Sequence, residues 1–346
     1  MKTVLIEMQK LGNPNSGLGQ FCLHLGKAME KLNPQNLQLD FYLPERMRGI
    51  FGNSFGYVNH SSFHKIIPPK CNYDAWHCIH QESAYLPRSR NTPLLLTVHD
   101  LNFLQMNRGW KKNRKLKRLR KIARLASGFT AVSEFTKRDM EKHLSISKPI
   151  RVIYNGNSLD KNIAPAKPSF IEFSEFIFSI SIISPKKNFH SLFCLLENNP
   201  SLHWVIAGDK SSDYATSLIR IAEQKGIGQR IHLPGIVSEN EKLWLYQNCR
   251  AFVFPSLAEG FGLPVIEAMS CGKPVFLSQH GSLPEIGGAD AFYWLGFDSM
   301  QVAEVFENGL KKFADDRDMV SRLIHRSELF SWERAANEYL KIYQAI

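Results

Sequence analysis

Residues 256–274 read Ser-Leu-Ala-Glu-Gly-Phe-Gly-Leu-Pro-Val-Ile-Glu-Ala-Met-Ser-Cys-Gly-Lys-Pro, a glycine-rich loop followed by an apolar helical segment. The apolar runs Ala251–Phe254 and Val275–Leu277 on either side are typical of strands in a parallel sheet covered on both faces. Pro264 suits a first helical turn and Gly272 suits the position after a helix end, so these two residues bound the predicted helix. A strand, loop, helix and strand in this order predict an α/β protein.

The loop in this stretch has the composition of an anion site flanked by two carboxylates. Its glycines let the backbone approach a ligand closely, and the start of the helix supplies N–H groups and positive dipole for a diphosphate. The residues expected to contact that group are Gly260, Phe261, Gly262 and Leu263. Glu259 and Glu267 can accept hydrogen bonds from sugar or ribose hydroxyls. The residues therefore predict a nucleotide-sugar site, with an ordinary turn and two solvated glutamates as the alternative.

The two glutamates form an E-x7-E pair inside E-G-F-G-L-P-V-I-E-A-M-S-C-G-K-P-V, which resembles the donor-site signature of glycosyltransferase family 4. This resemblance implies a retaining enzyme of the GT-B fold, in which two Rossmann-like domains face a central cleft. It also implies that Glu259 holds hydroxyls of the transferred sugar and that Glu267 holds the ribose of the nucleotide.

Length and composition agree with a two-domain α/β protein. The chain has 346 residues, of which 44% are hydrophobic, so two cores of ordinary size are expected. Its six cysteines contain no C-x-x-C pair, which argues against a disulfide framework or a zinc site. No apolar run is long enough to span a bilayer, and a cytoplasmic protein is expected. The formal charge of +11 predicts anionic partners.

Pattern changes along the chain predict four segments. Residues 1–160 are expected to form an N-terminal, acceptor-binding domain, and residues 161–174 a proline-containing linker. Residues 175–330 are expected to form the nucleotide-sugar domain. The resemblance implies that a C-terminal helix, residues 331–346, crosses back to pack on the N-terminal domain.

Two features of the N-terminal half resemble acceptor-side segments of the family. Gly17 and Gly19 lie in a turn-rich loop before a predicted helix, and they resemble the family's N-terminal glycine loop. A dinucleotide fingerprint is disfavoured there because Cys22 occupies the third glycine position. His99 follows the predicted strand Leu94–Val98 in a string that resembles the family's H-D segment, whose histidine reaches the transferred sugar. A flexible loop and a structural histidine are the alternatives.

A pair of lysines opens the second half. The string Ser184-Pro-Lys-Lys-Asn188 follows the predicted strand Phe176–Ile180 and resembles the family's P-R-K-N segment. Lys186 and Lys187 are therefore expected beside the diphosphate, where they offset the charge that grows as the sugar leaves. Because these cations supply that neutralisation, no metal and no other cofactor is expected. A solvated turn is the alternative.

Residues 108–124 form a run of basic residues without a single acid. Leu116, Leu119, Ile122 and Ala123 keep helical spacing within it, which predicts an amphipathic helix with a broad cationic face. Nucleic acid is not an expected partner because no reading motif accompanies the charge. Peripheral contact with an anionic membrane surface, at its inner face, is expected, and a helix with a solvated face is the alternative. Residues 44–69 are expected to be a loop.

These features together predict a hexosyltransferase. The donor is a nucleoside diphosphate sugar, with GDP-mannose as the first hypothesis because the P-K-K-N loop is similar to that of mannosyltransferases. The acceptor is expected to be a hydroxyl of a polysaccharide, a lipopolysaccharide or another lipid-linked glycan. Two alternatives are a nucleotide-sugar 2-epimerase of the same fold and a non-enzymatic basic protein that binds anions.

Overall fold

The computed structural model describes residues 1–67, 69, 72–87, 89, 91–106 and 109–346. The chain divides into two compact units, one formed by residues 1–156 with 331–346 and the other by residues 157–330. Each unit contains one parallel sheet with helices, which confirms the predicted α/β architecture of two Rossmann-like units. Cys71 and Arg108 lie outside the described residues, and the other five cysteines are free thiols.

Strands of both units follow the apolar runs of the sequence. They are β1 (Lys2–Glu7), β2 (Leu37–Leu43), β3 (Gly56–Asn59), β4 (Ala75–Cys78), β5 (Leu94–Val98), β6 (Gly128–Ala131), β7 (Ile150–Val152), β8 (Phe176–Ile180), β9 (His203–Ala207), β10 (Ile231–Gly235), β11 (Ala251–Phe254), β12 (Val275–Ser278) and β13 (Phe292–Trp294). Among the described residues the first sheet has the order β3-β2-β1-β4-β5-β6-β7 and the second has the order β10-β9-β8-β11-β12-β13. All pairings are parallel, so the carboxyl ends of the strands meet at one edge of each sheet.

Helices connect these strands. They are α1 (Gly17–Leu32), α2 (Phe103–Met106), α3 (Gly109–Leu125), α4 (Glu134–Leu144), α5 (Phe193–Asn198), α6 (Asp213–Gln224), α7 (Glu239–Asn248), α8 (Leu263–Ser270), α9 (Leu283–Gly287), α10 (Ser299–Asp315), α11 (Met319–Glu328) and α12 (Trp332–Ala345). Ser133 caps α4, because its side chain accepts a hydrogen bond from Thr136 N at 3.1 Å. Pro264 lies in the first turn of α8, which begins one residue before the predicted start.

The expectation of a loop over residues 44–69 is wrong at one place. Strand β3 lies within it and pairs with β2 at the edge of the first sheet. Only Tyr57 and Val58 carry strand-forming side chains in β3, so the sequence signal is too short to be recognised. Gly56 is required by close packing, because a Cβ there would lie 1.9 Å from Oδ1 of Asp40 on β2.

The segment predicted to be a linker, residues 161–174, packs on the second unit. Ala166 N donates a hydrogen bond to Asn240 O at 3.1 Å, and Ile171 is buried. The Phe173 ring stacks on His203 with a centroid distance of 4.1 Å. These contacts explain why the segment belongs to the second unit although its prolines and lysines are typical of a linker.

The C-terminal helix α12 belongs to the first unit, which is the arrangement expected from the sequence. The Tyr343 hydroxyl lies 2.6 Å from Nδ1 of His77 on β4. The Trp332 ring lies 5.6 Å from Phe21 of α1, in an edge-to-face contact. His77 and Tyr343 are completely buried, so the hydrogen bond between them satisfies polar groups that water does not reach.

Candidate functional site

The loop between β11 and α8 is held in place by the residues that follow β12. Gly262 takes a φ of 118°, a conformation that glycine adopts without strain, and it immediately precedes α8. Ser282 Oγ donates a hydrogen bond to Phe261 O at 2.6 Å. Gly281 approaches the loop so closely that a Cβ there would lie 2.4 Å from Glu259 O. The loop backbone is therefore fixed before any ligand binds.

Glu259 and Lys187 form an ion pair at this loop. Lys187 Nζ and Ser256 Oγ both donate to Glu259 Oε1, each at 2.5 Å. The side chains of Lys187 and Glu259 are only 9% and 13% exposed, so the pair is poorly screened by solvent. Lys187 Nζ also lies 4.6 Å from the centroid of the Phe254 ring. The structure therefore brings together two residues that the sequence assigned to one site from positions 72 residues apart.

The charge of this pair is set by opposing effects. Burial by itself raises the pKa of Glu259, but the charges of Lys187 and Lys186 and the hydrogen bonds from Lys187 and Ser256 outweigh it. The resulting pKa lies below the ordinary value, so Glu259 is an anion at neutral pH. An anionic carboxylate only accepts hydrogen bonds, which suits it to ligand hydroxyls.

The loop that carries the two lysines is tied to the loop that carries Glu259. Leu257 N donates to Lys186 O at 2.8 Å. Lys187 is buried and Lys186 is half-buried, in a short turn that ends at Asn188 with a φ of 55°. Asparagine tolerates this left-handed conformation better than most residues do. The asparagine at position 188 thus allows the turn that carries the two lysines to end in this conformation.

Glu267 lies inside α8 and is 5% exposed. Two side chains of α7 face it, and the sequence analysis did not assign either to the site. The Tyr246 hydroxyl donates to Glu267 Oε2 at 2.7 Å, and Lys242 Nζ lies 3.9 Å from Oε1. Lys242 and Tyr246 are four residues apart and hence on one face of α7. That spacing was the available signal, but nothing in the sequence shows which helix the face contacts.

The pKa of Glu267 is shifted in the opposite direction from that of Glu259. Burial raises its pKa, and the charge of Lys242 and the hydrogen bond from Tyr246 offset this only in part. Lys242 keeps its own charge, because the desolvation that lowers the pKa of Lys242 is outweighed by the charges of Glu267 and Glu239. Tyr246 and Lys242 therefore orient the Glu267 carboxyl, and both favour its charged form against the effect of burial.

Replacing Tyr246 with phenylalanine tests this orienting role. We expect binding of a nucleoside diphosphate to weaken about threefold to tenfold, because one hydrogen bond to a charged group is lost. Isothermal titration calorimetry measures it. Tyr293→Phe is the matched control, since the Tyr293 hydroxyl donates to Gly288 O at 2.7 Å elsewhere in the same unit. Equal affinities for native protein and Tyr246→Phe would rule the role out.

His99 follows β5 in the first unit. Its Nε2 lies 2.7 Å from Ile79 O, and a carbonyl only accepts, so Nε2 carries the proton. Burial lowers the pKa of His99 to about 4, although the hydrogen bond to Ile79 raises it slightly. The ring is therefore neutral at pH 7, and Nδ1 is an acceptor with no partner among the described residues. A ligand hydroxyl is a suitable donor to it.

Gly17 and Gly19 open α1, where Ser16 Oγ accepts a hydrogen bond from Gly19 N at 3.0 Å. The two glycines have different surroundings. A Cβ at Gly19 would lie 2.0 Å from Asn13 O, whereas a Cβ at Gly17 would meet nothing within 4 Å. Gly19 is thus required by the fold of the loop, and Gly17 leaves space at the helix start.

This contrast gives a matched pair of variants. Gly19→Ala is expected to lower the free energy of unfolding by about 1–3 kcal/mol, because the loop backbone must move to admit the methyl group. Gly17→Ala is expected to leave it unchanged within about 1 kcal/mol. Urea denaturation measures both. Similar losses in the two variants would show that the contact with Asn13 does not constrain the loop.

Glu7, at the carboxyl end of β1, is a buried acid that the sequence analysis did not single out. It is 1% exposed, and its Oε2 has no hydrogen-bond partner within the described residues. The pKa of Glu7 is raised from 4.5 to about 7. Burial raises it, and a hydrogen bond from Ser83 and the charge of Lys10 lower it by less. The folded protein therefore holds this proton more tightly than the unfolded chain does.

Stability should consequently fall as the pH rises. The contribution of Glu7 is fully present below pH 4.5 and is lost as the pH passes about 7. Between about pH 5 and about pH 8 we expect a loss of up to about 3 kcal/mol in unfolding free energy, which Glu7→Gln should abolish. Urea denaturation at both pH values is the measurement, with the exposed Glu141→Gln as control. An unchanged pH slope in Glu7→Gln would contradict the assignment.

The basic segment forms helix α3. Leu119, Ile122 and Ala123 are buried, as the predicted apolar stripe requires. The exposed cations are Lys111, Arg114, Lys115, Lys117, Arg118, Arg120, Lys121 and Arg124. Trp110 is 66% exposed at the start of the helix. Within the part of the chain that is described, no helix is long and apolar enough to cross a membrane, and no three or more His, Cys, Asp or Glu residues are grouped as metal ligands.

Two family models match consecutive parts of the chain. The model described as Glycosyltransferase Family 4 matches residues 38–161, and the model described as Glycosyl transferases group 1 matches residues 160–329. Together with the two parallel-sheet units, these matches define an α/β protein of the GT-B fold. The chain belongs to the family 4 type of glycosyltransferases.

Known proteins similar to this chain carry related descriptions. The serotype-specific mannosyltransferase WbdA of Escherichia coli is 33% identical over 169 residues, which are 47% of this chain and 21% of that protein. The chain thus spans about a fifth of the length of that relative. The O-antigen chain mannosyltransferase B of Escherichia coli is 26% identical over 289 residues, 77% of this chain and 74% of that protein.

Solved structures share the fold. Anabaena HepE, in complex with UDP and glucose, superposes with a TM-score of 0.77 at 18% identity, and the match covers 100% of both chains. At this identity the likeness supports the GT-B fold only.

Proposed function

We propose that this protein transfers a hexose from a nucleoside diphosphate sugar to a hydroxyl of a glycan acceptor, with retention of the anomeric configuration. The observation that carries the proposal is the buried Lys187–Glu259 pair beside the start of α8. The pair places a cation and a carboxylate that stays charged beside a helix N-terminus, on two loops that are hydrogen-bonded to each other. Those are groups that bind a sugar and stabilise a departing diphosphate.

In the proposed mechanism Lys186, Lys187 and the loop amides over residues 260–263 stabilise the diphosphate as it leaves. An ammonium has three N–H donors, so Lys187 can contact Glu259 and a phosphate oxygen at the same time. The bond from the anomeric carbon to the phosphate oxygen breaks, and a bond to the acceptor oxygen forms on the same face. The proton of the acceptor hydroxyl passes to the departing diphosphate, so no protein nucleophile is needed.

The two glutamates take different parts in this proposal. Glu259 accepts hydrogen bonds from hydroxyls of the transferred sugar, since its lysines keep it anionic. Glu267, oriented by Tyr246 and Lys242, accepts from the ribose hydroxyls. His99 Nδ1 accepts a hydrogen bond from a hydroxyl of the sugar, because the imidazole ring is neutral. Each role remains a prediction for mutagenesis.

Mannose from GDP-mannose is the first donor we propose. The support is that the two relatives from Escherichia coli are named mannosyltransferases. The acceptor proposed is a polysaccharide or a lipid-linked glycan, in line with the name of the O-antigen relative. We further propose that no divalent metal is required, because two lysines at the diphosphate supply the positive charge.

A donor panel tests the function. The protein is incubated with GDP-mannose, UDP-glucose and UDP-galactose, each with and without glycan acceptors, and released nucleoside diphosphate is measured. Transfer that depends on an acceptor and persists in EDTA is expected, with NMR showing a retained anomeric configuration. Epimerised sugar nucleotide without transfer would favour the epimerase alternative. No turnover of any donor would leave only an anion-binding protein.

We also propose that α3 contacts an anionic membrane surface. The support is its row of exposed cations and the exposed Trp110, a side chain suited to the lipid interface. Sedimentation with phosphatidylglycerol vesicles is expected at low salt and should weaken as salt is added. Binding to phosphatidylcholine vesicles alone to the same extent would contradict an electrostatic contact.

A further inference from the structure

A cavity of about 370 Å³ lies between the C-terminal end of α3 and the chain that leaves α4. Its polar lining combines three cations, Arg120, Arg124 and Lys148, with the hydroxyls of Ser145 and Ser147. No acidic side chain lines it within the described part of the chain. This combination of cations and hydroxyl donors is complementary to an anion that carries several acceptor oxygens.

Two of the three cations are fixed at the cavity wall by hydrogen bonds to the backbone. Arg120 Nε donates to His143 O at 2.9 Å, and Lys148 Nζ donates to Ala126 O at 2.7 Å. A guanidinium has five N–H donors and an ammonium three, so each keeps further donors after these bonds. Arg124 lies one turn after Arg120, on the same face of α3. In the described part of the chain none of the three forms an ion pair with an acid.

Helix ends account for only part of this positive charge. Helices α3 and α4 both terminate here, at Leu125 and Leu144, and each C-terminus carries about half a negative charge. Two helix ends therefore offset about one of the three cations, and an excess of about two positive charges is left. Capping of the helices alone does not require that excess.

The floor of the cavity is apolar. Ala123, Phe129 and Leu144 line it and are 7%, 4% and 3% exposed. An apolar wall lowers the local dielectric and strengthens the attraction between a bound anion and the cations above it. The volume admits one phosphate with part of its substituent rather than a polymer.

The cavity is separate from the residues assigned to transfer. Helix α3 ends just before β6 begins, so its last turn lies at the amino edge of the first sheet. His99 follows β5, at the carboxyl edge of the same sheet. A ligand in the cavity would therefore not occupy the position of a sugar at His99.

We propose that this cavity binds the phosphate group of a small phosphate ester, of the kind found in glycerophosphate and in phospholipid headgroups. Arg120 and Arg124 hold the phosphate oxygens, Lys148 adds a third charge, and the apolar floor receives the uncharged part of the ester. The proposal is independent of the sugar transfer proposed above, since it uses none of the same residues.

Calorimetry with glycerol 3-phosphate tests the site, with inorganic phosphate as a second probe and sodium chloride at equal ionic strength as the blank. Arg124→Gln is the principal variant, because Arg124 is exposed and its loss removes no structural bond among the described residues. We expect binding to weaken about tenfold, the effect of losing one charge-assisted hydrogen-bonding group. Arg114→Gln, which removes an exposed charge of α3 outside the cavity, should change it less than about twofold.

Vesicles distinguish the two sources of the phosphate. Vesicles of equal parts phosphatidylcholine and phosphatidylglycerol should bind native protein more strongly than Arg124→Gln if a lipid headgroup occupies the cavity, and glycerol 3-phosphate should compete. Binding of the soluble probes without that difference on vesicles assigns the cavity to a free phosphate ester. If neither glycerol 3-phosphate nor inorganic phosphate binds, the proposal is overturned. Equal losses of affinity in Arg124→Gln and Arg114→Gln would also overturn it.

Discussion

Replacing Lys187 with methionine is expected to slow sugar transfer by about a hundredfold to a thousandfold, the usual effect of removing one group that stabilises a developing negative charge. The side chain volume is nearly kept, and the ammonium beside Glu259 is lost. The turnover number should fall more than the affinity for the nucleotide, since charge on the diphosphate grows as the sugar leaves. Steady-state kinetics with the donor found by the panel, together with calorimetry on the nucleoside diphosphate, gives both quantities.

A surface pair in the same unit supplies the control. Lys225 Nζ lies 2.6 Å from Glu197 Oε1, with side chains 45% and 34% exposed, so Lys225→Met removes a similar ion pair far less buried. It should leave turnover within about twofold of the native protein. Lys187→Met also leaves Glu259 without its cation and is expected to cost about 3 kcal/mol in unfolding free energy, so activity must be measured under conditions where the variant is folded. A folded variant with native turnover would refute the assigned role.

Glu259→Gln and Glu267→Gln are expected to separate catalysis from binding. Glu259→Gln should lower turnover by about a hundredfold with a small change in nucleotide affinity, because it removes the anion that accepts sugar hydroxyls. Glu267→Gln should weaken nucleoside diphosphate binding by about tenfold or more and change turnover much less at saturating donor. Both replacements keep the side chain shape.

The comparison needs a ligand that lacks the sugar. Calorimetry with the nucleoside diphosphate alone reports the ribose contact, and kinetics with the complete donor report the sugar contact. Glu239→Gln is a useful control for Glu267, since Glu239 contacts Lys242 at 2.7 Å on the exposed side of the same cluster. Equal losses of affinity and turnover in the two principal variants would contradict the division of roles.

The residues around the loop between β11 and α8 could be predicted because local sequence signals and the fold agree there. The apolar runs of β8, β9 and β11 form parallel strands that are buried except for one terminal residue each in β8 and β9, and their composition distinguishes them from turns. The glycines and Pro264 mark the start of α8 in the sequence itself. Glu259 and Lys187 were assigned to one site, and the structure places their charged atoms in contact. Their catalytic roles remain predictions.

What the sequence did not show depends on contacts between distant segments. In the sequence Tyr246 and Lys242 are ordinary residues of a short helical segment, and only the packing of α7 against Glu267 shows their role. Residues 161–174 have the composition of a linker, but Phe173 finds a stacking partner on β9. The basic run predicted a cationic helix, whereas the cavity at its end needs Lys148 from a later loop. Composition carries no information on such pairings.

The placement of α12 has a consequence for how the protein is made. Residues 157–330 form a unit of uninterrupted chain, which can fold as soon as it has left the ribosome. The first unit completes its folding later, because two of its buried side chains need partners on α12. Tyr343 contacts His77 and Tyr339 contacts Thr97, and α12 is synthesised after the second unit. Until then His77 on β4 and Thr97 on β5 lack these two partners. Helix α12, which is synthesised after residues 157–330, thus completes the unit to which residues 1–156 belong.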